Sequence, residues 1–196
     1  MWLPLSDLAG MLGKGAYINE DEWIYFEKQE SKLCGQHCLN NLVQGSYFSA
    51  PDLADIAAEL DESERKLGVT SMMSHHVDET GNFSIEVLRT AMDKFCGIKL
   101  IHSDSKSTTS TEKAFVINRH DHWLTCRKIG KEWYDLNSML EQPELIGDYK
   151  LDAYLTQLRN EGYTVFIVKG NLIRITFPFN LPRYKYMYFI TLHMIA

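Results

Sequence analysis

The chain has 196 residues, 45% of them apolar, 12% aromatic and 23% charged, with a formal net charge of −6. That length and apolar content suit one domain with a sizeable core, and they exclude a mainly disordered chain or a collagen-like repeat. The acid excess argues against binding to phosphate backbones, so no nucleic-acid partner is expected.

Residues 1–22 carry no strong period and read as an N-terminal extension, with a short helix over 1–11 and a loop over 13–20. The aromatic-rich stretch 23–27 reads as extended. Ser31 is expected to cap a helix from about Lys32 to Gln44, with Cys34, Cys38 and Leu42 on one face and Gly45 as the stop. A second helix starts at Ser49, with Pro51 in its first turn and Asp52 at the capping-box position. Its buried stripe is Leu53, Ile56, Ala57 and Leu60. From Asp52 to Glu79 there are eight acids and two bases, which marks an acidic, projecting segment. A third helix is predicted from Ser84 to near Gly97, with Ile85, Leu88, Met92 and Phe95 inward.

After Gly97 the period shortens. Ile98–Ile101, Ala114–Asn118, His122–Ile129, Trp133–Asn137 and Tyr163–Lys169 read as strands, with Gly130-Lys131 as a hairpin turn. Ser103 to Thr111 is a polar loop, and Tyr149 to Glu161 is a helix closed by Gly162. Helices followed by mostly antiparallel strands make an α+β domain over residues 23–170. Residues 171–196 form an atypical tail with no acid, three bases and six aromatics, interrupted by Pro178 and Pro182. The cysteines, Cys34, Cys38, Cys96 and Cys126, form no dense disulfide pattern, so a reduced, intracellular setting is expected. No secretory signal and no transmembrane segment is read, because no stretch reaches the roughly 18–20 apolar residues a span needs.

Cys34 falls near the start of a helix, where unpaired N–H groups and the helix field favour a thiolate. A thiol beside an imidazole is an acyl-transfer nucleophile. Cys38, one turn further on, reads as a packing residue. His120 and His122 lie at one strand edge. Pairing directly around Gly130-Lys131 sets Asn137 diagonal to His122, and a different turn sets the two opposite each other. Asn137 suits a carboxamide that accepts the imidazole proton and fixes its tautomer. Asp135 has the same parity and is a rival for that role. The backbone N–H of Cys34 and the side chain of Gln29 are candidate oxyanion donors. Cys34, His37, Cys38 and the pair His75-His76 lack the spacing of a zinc site, so no metal or other cofactor is expected. Gly13-Lys14 and Gly130-Lys131 do not form a phosphate loop.

The run from Tyr25 to Leu42, together with His122-Trp123-Leu124-Thr125, Trp133-Tyr134-Asp135-Leu136-Asn137-Ser138, Pro143-Glu144-Leu145-Ile146 and 161–170, resembles the Josephin domain family. The resemblance covers about residues 24–170. It implies a papain-like cysteine protease fold that cleaves ubiquitin linkages, with Cys34 as nucleophile, His122 as general base, Asn137 as orienting residue and Gln29 in the oxyanion hole. It selects His122 over His120 and Asn137 over Asp135.

The resemblance further implies ubiquitin, polyubiquitin chains or ubiquitinated proteins as partners, with proteasome-shuttle or chaperone contacts, in the cytoplasm and nucleus. The alternative is a ubiquitin-binding module of the same fold with little or no turnover. The family pattern includes a helical hairpin projecting beside the site, here over about Pro51 to Asn82. Few residues separate Lys66 from Ser84 to build its second arm, and the loop from Ser103 to Lys113 is also short. Family proteins continue into ubiquitin-interacting helices, which residues 171–196 do not resemble.

Overall fold

The computed structural model describes residues 16–19, 22–29, 31–68, 74–78, 80–103, 111–147 and 150–172. The helix expected over 1–11 and the alternating apolar residues at 173–179 lie outside them.

Among the described residues the order is β1 (Ala16–Asn19), β2 (Glu22–Ile24), α1 (Cys34–Val43), α2 (Ala50–Lys66), α3 (Ile85–Cys96), β3 (Lys99–His102), β4 (Ala114–Arg119), β5 (His122–Ile129), β6 (Glu132–Asp135), β7 (Glu144–Leu145), α4 (Leu151–Asn160) and β8 (Thr164–Lys169). Strands β3 to β8 form one sheet in the order β3-β8-β4-β5-β6-β7, antiparallel at every pairing. The α+β expectation therefore holds.

The sheet is buried on both faces, because alternate residues of its central strands feed two cores. Ala114, Val116, Trp123, Phe166 and Val168 pack with α1, α2 and α3. Phe115, Ile117, Leu124, Cys126, Val165 and Ile167 pack with α4 through Leu151, Leu155 and Leu158.

Several expectations need correction. The loop expected over 13–20 contains β1, which pairs with β2 through Ala16↔Ile24 and Tyr17↔Trp23. The polar run Asn19-Glu20-Asp21-Glu22 between the two apolar stretches hid this pairing in the sequence. Ser31 does not cap α1. It has φ 57°, and the helix begins three residues later at Cys34, with Leu33 as an N-cap that offers no side-chain bond. The stop is Gln44 in the left-handed conformation, not Gly45.

Phe95 is 48% exposed, because the inward face of α3 is Val87, Leu88, Ala91 and Met92. The capping box Ser49/Asp52 on α2 is as predicted, and α3 lies between Ser84 and Gly97 as its predicted bounds require, with those two residues as its caps. The projecting hairpin has a helical first arm, α2. Among the described residues its return arm is not helical, but a short turn closed by a Val77–Phe83 bridge. No helix among the described residues is long and apolar enough to cross a membrane.

Candidate active site

The polar side of α1 organises the site. Asn41 accepts from Glu27 N–H at 2.6 Å and donates to the carbonyls of Glu27 (3.2 Å) and Leu136 (3.1 Å). Gln44 pairs with both backbone groups of Tyr25 at 3.0 and 3.1 Å. These carboxamides replace a missing strand partner, so the extended segment 25–29 lies along the helix with its backbone satisfied. At its end Gln29 N–H donates to Ser138 O at 2.8 Å, and Ser138 Oγ donates to Gln29 Oε1 at 2.9 Å. Gln29 Nε2 donates to Ser31 O at 3.3 Å. The Gln29 side chain is thus held beside the residues that lead into α1.

Cys34 is the first residue of α1, and its side chain is buried. Sγ lies 3.5 Å from the carbonyl oxygen of Asp121 and 4.0 Å from Asn82 Oδ1. Burial raises the thiol above its ordinary range, while backbone N–H groups of Trp123, Gly35 and Cys34 itself work against that rise. Asp121 and Trp123 flank His122, so the sulfur is gripped by the two residues on either side of the imidazole. The helix-start position expected to favour a thiolate is thus opposed by burial, which shifts the thiol toward its protonated form.

His122 opens β5, and Nε2 of its ring lies 2.8 Å from Asn137 Oδ1. The β5–β6 pairing runs directly around Gly130-Lys131, with Ile129 opposite Glu132, which sets Asn137 diagonal to His122. Asn137 Oδ1 also accepts from Met139 N–H at 3.1 Å. An atom that accepts from a backbone N–H is the oxygen of the carboxamide, so His122 Nε2 carries the proton and Nδ1 keeps a lone pair.

The rival Asp135 has other partners. Its Oδ1 accepts from Asn137 N–H at 2.9 Å and its Oδ2 from Tyr154 Oη–H at 2.7 Å. Burial raises its carboxyl, against the hydrogen bonds of Tyr154 and Asn137. Asp135 therefore braces the loop that presents Asn137. His120 is exposed in the β4–β5 turn with φ 53°.

The other sequence candidates are dispersed. Cys38 Sγ lies 3.0 Å from Thr125 Oγ1, and burial pushes its thiol up to about 12. His37 Nδ1 meets Glu27 Oε2 at 2.6 Å on the buried side of α1. Desolvation of Glu27 is outweighed by hydrogen bonds from His37, Tyr25 and Asn40, which hold its carboxyl below the ordinary value of 4.5. Away from the thiol, Asp61, Glu64 and His76 bring their ligand atoms within 4.8 Å of one another. His76 spans Ser84 Oγ at 2.9 Å and Glu64 Oε1 at 3.2 Å, so this group ties the segment 74–84 to α2. The sequence reading missed Glu27, Asn40, Asn41, Gln44, Ser138 and Asn82. The spacing of His37, Asn40, Asn41 and Gln44 along one helix was the signal for three of these, Asn40, Asn41 and Gln44, as partners of segment 25–29.

A family model for Josephin matches residues 29–169. The chain belongs to the Josephin family. It is 46% identical to ataxin-3 of Homo sapiens over 169 residues, 77% of this chain and 46% of that one. It is 45% identical to the ataxin-3-like protein of Homo sapiens, over 77% of this chain and 47% of that protein. It is 37% identical to an ataxin-3 homolog of Arabidopsis thaliana, over 76% and 59% of the two chains. The chain thus spans about half the length of the Josephin relatives it matches. Gln29, Cys34, Asn82, His122 and Asn137 all lie within the range 29–169 that the family model covers.

Proposed function

We propose that this chain is a cysteine-type deubiquitinase, which hydrolyses the isopeptide bond after the C-terminal glycine of ubiquitin through a thioester on Cys34. The observation that carries the reading is the 2.8 Å His122–Asn137 contact beside a buried thiol held by the backbone on both sides of His122. Membership of the Josephin family supports it.

In this mechanism His122 Nδ1 takes the Cys34 proton as the sulfur attacks the glycine carbonyl. Asn137 stabilises the imidazolium by accepting from Nε2–H. The Cys34 N–H and the second Nε2 proton of Gln29 donate to the oxyanion. His122 then returns the proton to the leaving lysine amine, and a water, deprotonated by the same ring, releases the acyl group from sulfur. Ubiquitin, polyubiquitin chains and ubiquitinated proteins of the cytoplasm and nucleus are the substrates in this reading, with proteasome-shuttle or chaperone partners.

The test is a ubiquitin carrying a thiol-reactive group at its C-terminus. The expected result is one adduct on Cys34, absent in Cys34→Ala, with hydrolysis of a ubiquitin C-terminal amide lost in the same variant. The resting thiol donates to Asp121 O rather than to His122, and this favours the second reading, a ubiquitin-binding module with little turnover. Ubiquitin binding without an adduct would establish that second reading in place of the first.

A further inference from the structure

Asn82 stands at the end of a closed turn. Asp78 Oδ1 accepts from Thr80 N–H at 2.8 Å, from Thr80 Oγ1–H at 2.6 Å and from Asn82 N–H at 3.0 Å, and Asp78 N–H donates to Asn82 O at 3.2 Å. Gly81 has φ +87°, and a Cβ there would lie 3.1 Å from Leu33 Cδ2, so the turn sits directly on the residue before Cys34. On the other side, the Trp123 indole N–H donates to Phe83 O at 2.9 Å. The turn is fixed to both elements that hold the sulfur, and it delivers Asn82 Oδ1 to 4.0 Å from Cys34 Sγ.

Asn82 Nδ2 has no hydrogen-bond partner among the described residues, although every backbone contact of the residue is set by the turn. A side chain that plays a structural part in a turn uses its polar atoms within that turn. This one points its oxygen at the thiol. A carboxamide can present either end to a neighbour by rotation about Cβ–Cγ, and nothing on Nδ2 opposes that rotation here.

We propose that Asn82 is a further catalytic residue of the Cys34 site: its oxygen is a second, longer acceptor beside the resting thiol after Asp121 O, and its turned amide donates to the charged sulfur. The inference rests on the reading of Cys34 as nucleophile and adds a residue to that site. An N–H donor to an ionised sulfur is stronger than an S–H donor to a carbonyl, because one partner carries full charge. The net effect of Asn82 is therefore to favour the thiolate. The backbone N–H groups already at the sulfur act in the same direction.

The other charged or titratable groups nearby are His122 at the start of β5 and Asp121 just before it, the buried Cys38 one turn along α1, Asp135 beyond Asn137, Asp78 within the turn, and Lys32, whose charge acts on Asp78. Asp121 disfavours the thiolate and His122 in its charged form favours it, so the profile of the parent protein is the reference for every variant.

The experiment is alkylation of Cys34 by iodoacetamide in the full chain from pH 6 to 10, read by mass spectrometry of the Cys34 peptide, with circular dichroism as the folding control. Asn82→Ala is expected to move the midpoint up by about one pH unit, so that alkylation near pH 7 slows about tenfold. Asn82→Asp, which cannot donate and adds a charge, is expected to move it further. Asp78→Ala, which frees the turn, should move it part of the way, and Asp78→Asn, which keeps the acceptor oxygen, should restore it. With a ubiquitin C-terminal amide, Asn82→Ala should lower kcat and leave KM unchanged. A folded Asn82→Ala whose alkylation profile superimposes on the parent's overturns the proposal. Shifted profiles in a parent protein that never hydrolyses ubiquitin amides support the role of Asn82 and overturn the deubiquitinase reading instead.

Discussion

His122 has two ring nitrogens, and the Met139 N–H decides between them. Its 3.1 Å bond to Asn137 Oδ1 fixes the carboxamide, and the fixed oxygen then requires the proton on His122 Nε2. Nδ1 is left with the lone pair that the proposed mechanism uses as base. Asn137→Ala removes that constraint and is expected to lose a large part of the roughly 10²–10⁴-fold contribution of a positioned general base. Asp135→Asn is expected to keep most activity, because its oxygen can still accept from Asn137 N–H and its amide can donate to Tyr154 Oη. Single-turnover acylation of Cys34 by a ubiquitin amide measures both. Loss in Asp135→Asn with normal rates in Asn137→Ala would assign the orienting role to the carboxylate. The raised Cys34 thiol gives the sign of the pH dependence. A thiol whose ionisation is shifted to higher pH by burial gains thiolate as pH rises, so acylation should climb with pH. At this scale the sequence was legible where a residue acts through a near neighbour on one hairpin, as with His122 and Asn137. It was not legible for Asn82 or Ser138, whose partners at the site lie 48 and 109 residues away.

Helix starts differ in how the chain announces them. α2 carries its cap in the sequence, with Ser49 and Asp52 closing a reciprocal box. α1 has no side-chain cap, so its first N–H groups remain available where the thiol sits, and Ser31 misled the reading by being the right residue type two positions too early. α3 is capped by Ser84, whose Oγ accepts from Val87 N–H at 3.4 Å and also meets His76 Nδ1 at 2.9 Å. That double engagement sets up a comparison between two caps. Ser49→Ala should cost about 1 kcal/mol, the usual loss of a cap. Ser84→Ala should cost about 1 kcal/mol more, because it also strips a hydrogen bond from a buried imidazole. Denaturant unfolding monitored by circular dichroism gives both values, and equal costs would show that His76 finds another partner. Caps and apolar stripes are local signals, which is why α2, α3 and β5 were read with near-correct bounds. β7 has only two residues, Glu144 and Leu145, and both are exposed, so it offered no pattern to read.

Across the molecule, one buried carboxylate joins three parts of the chain. Glu27 holds the segment after β2 against α1 through His37 and Asn40, and its backbone meets Asn41, which reaches on to Leu136, the residue before Asn137. Tyr25 Oη–H donates to the same carboxylate. The folded chain holds this carboxyl below its ordinary value of 4.5, despite the desolvation that raises it. A depressed acid contributes stability that is fully present above the unfolded value and is lost as pH falls through the folded one. Asp135 runs the other way. Its raised carboxyl favours the protonated form in the fold, so acid relieves that site while it weakens Glu27. Glu27→Gln keeps the shape and removes the charge. It is expected to cost roughly 1.5–3 kcal/mol at pH 7, the range for hydrogen bonds to a charged group. The difference between parent and variant should shrink as pH falls below about 4.5, because protonation makes the parent resemble the variant. Urea unfolding at pH 7, 5 and 3.5 measures that difference. A gap that stays constant with pH would mean that Glu27 is already protonated in the fold and that His37 is held by a neutral acid. A gap that widens in acid would reverse the sign and place the dominant acid-sensitive group elsewhere in the molecule.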